Sequence, residues 1–297
     1  MEIKDIIKIY KILGKENIEL RASLKDYSSF KIGGIAHFMF FPNSLKQAVT
    51  LLKYLTKQKI DYIVLGNATN VLINGDKDVV VSFKRLNKIT IKKEKVFAES
   101  GVSLFKFNEI LKNNSLSGLE RTYGIPGSVG GGIVQNCGAY GVSISDNIEK
   151  VWYFNGKKLI KAKKDKLIFN YRTSEFKTHK NYVVLGAEFK LKTDDKEKIE
   201  NRLNEVIATR KAKQPYDYPS AGSVFKRVDG VIISKLIDEL GLKGYSVGGA
   251  KISEKHAGFI INYNNASYED VTNLIDFVKN KIKDEKNIDL ETEIVVL

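Results

Sequence analysis

Two stretches of this chain carry the residue types that backbone-mediated phosphate binding uses. Gly124-Ile-Pro-Gly-Ser-Val-Gly-Gly-Gly132 holds five glycines in nine positions, and Asn136-Cys-Gly-Ala-Tyr-Gly141 follows it closely. So many glycines leave little side chain to build a core, but they leave bare N–H groups that a large anionic ligand can approach. A second such turn, Gly66-Asn-Ala-Thr-Asn70, comes directly after the apolar run Tyr62-Ile-Val-Leu65. One glycine-rich loop alone reads more simply as a tight turn. Two of them, each just past an apolar strand-like segment, point to one extended phosphate-bearing cofactor.

Three polar clusters offer side-chain chemistry. In Asn170-Tyr-Arg-Thr-Ser-Glu175, Arg172 brings a planar fork suited to a carboxylate; a plain exposed arginine is the alternative. In Tyr218-Pro-Ser-Ala-Gly-Ser-Val-Phe-Lys-Arg227, Pro219 and Gly222 bracket an expected tight turn that presents Ser223 as a proton donor, or merely as a turn residue. In Asp289-Leu-Glu-Thr-Glu293, strand alternation would put Glu291 and Glu293 on one side, as paired carboxylates or as a charged edge. No Gly-x-Ser-x-Gly elbow surrounds Ser223, and only His37, His179 and His256 exist to act as base, so a Ser-His-Asp hydrolase is disfavoured. His256 reads as a buttress for the strand after it. Cys137 reads as small packing rather than a nucleophile, and metal-ligand spacing is absent.

The elements that must hold these groups follow from periodicity. Helical spacing predicts helices over 2–12, 44–57 with Ser44 as N-cap, 104–113, 196–211, 232–240 and 268–283. Short apolar runs between turn residues predict strands at 62–65, 71–73, 79–83, 89–91, 96–99, 151–154, 158–160, 183–192, 259–261 and 293–297. The pattern is that of an α+β protein with a cofactor-binding N-terminal part and a C-terminal α+β cap.

Composition narrows the class. Charged residues at 28% and hydrophobic residues at 43% are ordinary for a globular protein. The first ten residues mix charges into their apolar positions, which argues against a signal peptide, and a single cysteine excludes an internal disulfide and fits a reducing cytoplasm. The net charge of +14 comes from lysines spread along the chain, with no Arg-rich block interleaved with aromatics. It reads as a solvated face that attracts small phosphorylated ligands, so neither a nucleic-acid nor a membrane partner is expected.

Taken in order, these segments resemble the UDP-N-acetylenolpyruvoylglucosamine reductases. The motifs are Ser29-Phe-Lys-Ile-Gly-Gly34, 66–70, 124–141, 171–174, 219–227, Gly248-Gly-Ala250, Lys255-His-Ala-Gly258 and 290–293. The resemblance implies an FAD-binding fold of the vanillyl-alcohol-oxidase type. Its two subdomains would cover 1–80 and 81–195, with a substrate domain at 196–297. The short chain between Arg172 and Ser223 is similar to the shorter, second type of the family. FAD would lie against Gly66, Asn67, Ala68, Thr69 and Asn70, and against Gly127, Ser128, Gly130, Gly131, Asn136, Gly138 and Ala139. The family pattern makes Arg172, Ser223 and Glu293 catalytic and Tyr171, Lys213, Lys226 and Arg227 substrate-binding. The implied reaction is ping-pong, with NADPH as hydride donor, UDP-N-acetylglucosamine enolpyruvate as substrate, and a cytoplasmic monomer as the enzyme.

Some positions depart from the family pattern. Ala68 replaces a usual glycine, and its Cβ is acceptable only at negative φ. Gln135 replaces a methionine, and Val228 and Thr292 replace prolines, the latter expected to leave Glu293 less rigid but still on the strand. The competing readings are another flavin oxidoreductase of the same fold acting on an alcohol or sugar, and a basic nucleic-acid-binding protein. A yellow purified protein separates the flavoenzymes from the latter.

Overall fold

The computed structural model describes residues 1–297. The chain parts into two compact units, each assembled from separated segments: 1–22, 36–67 and 78–207 form the first, and 23–35, 68–77 and 208–297 the second.

The first unit contains two sheets. In one, strands run in the order Ile18–Ser23, Ile35–Phe40, Lys77–Ser82, Ile63–Leu65, the last two in parallel. The helix Leu45–Lys57 packs on it because Ala48, Leu51, Leu52 and Leu55 fall on one helical face and are fully buried. Burial of each leucine stabilises the unit by about 2 kcal/mol. Ser44 caps that helix by accepting the Gln47 N–H, as its sequence position predicts. The other sheet is wholly antiparallel, in the order Leu159–Lys163, Ile148–Phe154, Val183–Lys190, Lys95–Glu99, Ile89–Lys92. The helix Leu104–Asn113 packs Phe107 and Leu111 into its core, where Phe107 and Phe189 lie 5.1 Å apart.

The second unit is a four-stranded sheet, ordered Ser220–Ser223, Phe259–Asn262, Ala250–Ile252, Ser246–Val247, with the helices Ile233–Glu239 and Tyr268–Lys286 in the same core. Two short early segments complete it. Phe30 and Ile32 enter the core, Asn262 Nδ2 donates to the Phe30 carbonyl at 3.1 Å, and Val71–Leu72 pairs in parallel with the C-terminal Val295–Val296.

Packing parts the chain at 207/208, within the helix Lys196–Lys213, rather than at the expected 195/196. The first three turns of that helix bury Ile199, Leu203 and Val206 with Tyr123. Arg202 then donates to Glu120 at 3.0 and 2.8 Å and to Asp194 at 2.5 Å. Burial pushes the Glu120 carboxyl up, but hydrogen bonds from Ser117, the Gly118 N–H and Arg202 outweigh it and hold the group below the usual carboxylate range. Its contribution to stability is therefore present above the ordinary carboxylate pKa and fades as pH falls through the lowered one.

The largest departure from the expected elements is in the glycine block. Residues read as an open loop form the helix Val129–Gln135, although glycine has a poor helix propensity. Space explains it: a Cβ on Gly130 would stand 2.5 Å from Ser100 Oγ, and one on Gly132 would stand 2.9 Å from Cys137 Sγ. Only bare backbone lets this helix approach so closely, and that packing outweighs propensity.

Candidate functional site

The helical glycine block revises which N–H groups a ligand can reach. Val129, Gly130 and Gly132 donate to the carbonyls of Val102, Ser100 and Ser128, at 2.8, 2.9 and 2.8 Å, and Gly131 donates to Ser128 Oγ at 3.3 Å. Glycines 130 and 132 thus serve close packing, while Gly131 is exposed. The loop at 66–70 is more open, since the N–H groups of Asn67, Ala68 and Thr69 make no hydrogen bond within the chain. The two glycine segments touch at Gly66, where a Cβ would stand 2.4 Å from Ser128 Oγ, and at Asn67, whose Nδ2 donates to the Pro126 carbonyl at 3.0 Å.

Ala68 adopts φ +49°, which overturns the expectation that an alanine there requires negative φ. The loop takes the glycine-like bend despite the Cβ, at a strain of roughly 1 kcal/mol. Ala68→Gly is expected to hold the same loop with unfolding free energy within about 1 kcal/mol of the parent, because relieved strain is offset by added chain entropy. Urea unfolding checks it, and a loss above 2 kcal/mol means that the methyl group packs productively.

Arg172 sits on a two-residue turn between the paired strands Phe169–Asn170 and Thr173–Ser174. Its φ is +53°, a left-handed conformation that favours glycine. Three bonds fasten this hairpin to the end of the glycine-rich helix. Arg172 Nη2 donates to the Gly138 carbonyl at 2.6 Å, Asn136 Nδ2 to the Asn170 carbonyl at 2.9 Å, and Ser174 Oγ to the Val134 carbonyl at 2.7 Å. Tyr171 is exposed, with the Arg172 guanidinium 5.3 Å from its ring. The Oδ1 of Asn136 is buried without a hydrogen-bond partner, an acceptor left for a ligand donor.

In the second unit Ser223 ends the strand Ser220–Ser223, whose register against Phe259–Asn262 is irregular. This corrects the expected tight turn: Gly222, at φ +81°, makes a bulge in an extended strand. Glu293 also differs from expectation. The last strand begins at Val295, so Glu293 precedes it and shares no strand face with Glu291. Glu291 is an exposed ion-pair partner of Lys226, whose ammonium is thereby engaged. The backbone of Glu293 is nevertheless fixed on both sides: its N–H donates to the Val224 carbonyl at 2.7 Å, and its carbonyl accepts from Asn70 Nδ2 at 3.2 Å. Lys213 and Arg227 are exposed. His256 buttresses its strand by accepting the Gly258 N–H at 3.1 Å, and burial lowers its pKa. Cys137 lies in the core of the first unit.

Two separate features suit parts of a dinucleotide flavin. Open N–H groups at Asn67, Ala68 and Thr69 fit a pyrophosphate, and the buried Asn136 Oδ1 fits a ring N–H donor such as flavin carries. Residues 36–157 match the model of an FAD-binding domain, and residues 214–297 match that of the UDP-N-acetylenolpyruvoylglucosamine reductase C-terminal domain. The fold is also similar to alkyldihydroxyacetonephosphate synthase at a TM-score of 0.51, with 13% identity over 65% of this chain and 41% of that one, a likeness of fold alone. This is an FAD-binding protein of the vanillyl-alcohol-oxidase type of fold, an α+β architecture.

Near-full-length relatives narrow the class. The chain is 43% identical over 280 residues to the UDP-N-acetylenolpyruvoylglucosamine reductase of Fervidobacterium nodosum, covering 93% of this chain and 91% of that one. Identity to the Clostridium novyi reductase is 42%, covering 98% and 95%. The crystal structure of the Thermus caldophilus reductase matches with a TM-score of 0.79 and 32% identity, over 94% of this chain and 98% of that one. The chain belongs to the UDP-N-acetylenolpyruvoylglucosamine reductase family. No helix is long and apolar enough to cross a membrane.

Proposed function

We propose that the chain reduces UDP-N-acetylglucosamine enolpyruvate to UDP-N-acetylmuramate at the expense of NADPH, a step of peptidoglycan synthesis. The observation that carries this reading is the 43% identity with the Fervidobacterium reductase over 93% of this chain and 91% of that one. FAD, held by the residues assigned below, would supply the two-electron hydride chemistry between NADPH and C3 of the enolpyruvyl group. Negative charge then builds on C2 and spreads into the substrate carboxylate. Arg172, a permanent cation, and Glu293, as a hydrogen-bond donor in its acid form, stabilise that charge as it develops. Ser223 gives its hydroxyl proton to C2, which completes a balanced addition of hydride and proton across the double bond. Tyr171, Lys213 and Arg227 are assigned to the anionic substrate, and Lys226 joins them only by exchanging its Glu291 partner for phosphate.

We assign the FAD pyrophosphate to the backbone of Gly66, Asn67, Ala68, Thr69 and Asn70 together with that of Gly127 and Ser128. Gly130, Gly131, Gly138 and Ala139 shape that surface, and Asn136 offers its free oxygen. The working form is a cytoplasmic monomer, consistent with a single buried thiol. The test is NADPH oxidation by the purified yellow protein. Oxidation beyond one equivalent per bound flavin should require UDP-N-acetylglucosamine enolpyruvate and should yield a product heavier by two hydrogens. Reduction of the flavin by an alcohol or sugar instead, with the enolpyruvyl compound inert as an acceptor, favours the other flavin oxidoreductases of this fold.

A further inference from the structure

Asn70 lies in the loop whose neighbouring N–H groups face no protein acceptor, yet its own side chain turns away from that role. Its Nδ2 donates to the Glu293 carbonyl, and its backbone carbonyl accepts the Val295 N–H at 3.0 Å. Glu293 stands at a bend outside the strand, so the strand ladder does not place it. Its anchors are the Asn70 amide on one side and the Val224 carbonyl on the other, and Val224 directly follows Ser223. The same loop reaches the strand of Ser223 by a second route: Ser29 Oγ donates to the Ser220 carbonyl at 2.7 Å, and the Ser29 N–H donates to the Ala68 carbonyl at 3.2 Å.

We propose that Asn70 is a positioning residue for Glu293, so that one loop both presents N–H groups to the cofactor and sets the attitude of the catalytic carboxyl. This rests on the assignment of Glu293 to the reaction made above. The backbone around Glu293 suggests a compensating change. The N–H of Thr292 makes no hydrogen bond within the chain, and the neighbouring bonds, Lys226 N–H to the Glu291 carbonyl at 2.9 Å and Glu293 N–H to the Val224 carbonyl, do not use it. Proline at 292 removes nothing that is bonded and fixes φ, so it stiffens the approach to Glu293 independently of Asn70.

The experiment uses FAD-saturated enzyme and rapid mixing to time the two half-reactions separately, with FAD affinity measured by titration of apoprotein. In Asn70→Ala, reduction by NADPH should stay within about twofold, while reduction of the enolpyruvyl substrate falls roughly ten- to a hundredfold, the scale of a misplaced catalytic group. FAD affinity should change little, and Asn70→Ala combined with Thr292→Pro should recover most of the lost rate. Should Asn70→Ala not fold, Asn70→Ser, which is too short to reach the Glu293 carbonyl, carries the same expectation. Equal slowing of both half-reactions, no slowing of either, or weakened FAD binding as the sole change overturns the positioning role. Glu293→Gln is the control that separates this from the underlying reading. If it loses the second half-reaction while Asn70→Ala keeps it, the tether alone is wrong; if it retains that half-reaction, the assignment of Glu293 fails and the tether with it.

Discussion

Ser223→Ala should leave flavin reduction by NADPH within about twofold of the parent and slow reduction of the enolpyruvyl substrate by a hundred- to a thousandfold. The size follows from removing one positioned proton donor from a step that needs it. The split follows from chemistry: hydride leaving NADPH requires no proton from the protein, whereas C2 of the substrate must receive one. The structure makes this a clean substitution. The backbone at Ser223 is held by pairing with Phe259, and the next residue donates its N–H to the Gly258 carbonyl at 2.8 Å while accepting the Glu293 N–H. None of these bonds uses the hydroxyl, so unfolding free energy should stay within about 0.5 kcal/mol. Stopped-flow absorbance of the flavin follows both half-reactions in one instrument. Equal loss in the two, or an enolpyruvyl rate that survives, removes Ser223 from the reaction.

Ser223 also marks the reach of local sequence pattern. Its position is legible because Gly222 and Pro219 are rare backbone types, but the pattern predicts a turn where the segment is a bulged strand against Phe259–Asn262. The difference lies in a partner some forty residues away, which local pattern does not carry. The helices Leu45–Lys57 and Leu104–Asn113 were legible for the opposite reason, since cap and apolar face are both local signals. The helix Val129–Gln135 was hidden because its glycines answer to Ser100 and Cys137 rather than to propensity. In the same way, nothing local says that 23–35 and 68–77 complete the C-terminal unit, or that Val71–Leu72 is the partner of Val295–Val296. Motifs point to the candidate residues; contacts between distant segments decide what each backbone does.

Arg172 gives the sharpest separation of backbone from side chain. An arginine at φ +53° costs about 1–2 kcal/mol relative to a conformation that suits it, and glycine there avoids that strain. A chain selected for stability alone would carry glycine or asparagine at this turn. Arg172→Gly should therefore be nearly neutral for folding: strain relief is offset by loss of the bond to the Gly138 carbonyl, itself worth about 1 kcal/mol. Arg172→Ala loses that bond and keeps the strain, so it should unfold at lower urea than Arg172→Gly. Both should lose about a hundred- to a thousandfold in reduction of the enolpyruvyl substrate, because neither supplies a cation to the developing carboxylate charge. Arg172→Lys should recover only part of the rate, since a point charge does not reproduce the planar fork. The decisive comparison is stability against rate across the three variants. If rate follows stability, the arginine is a structural clasp on the 136–138 segment. If the most stable variant is as inactive as the least stable, the strained turn is retained for the guanidinium it presents.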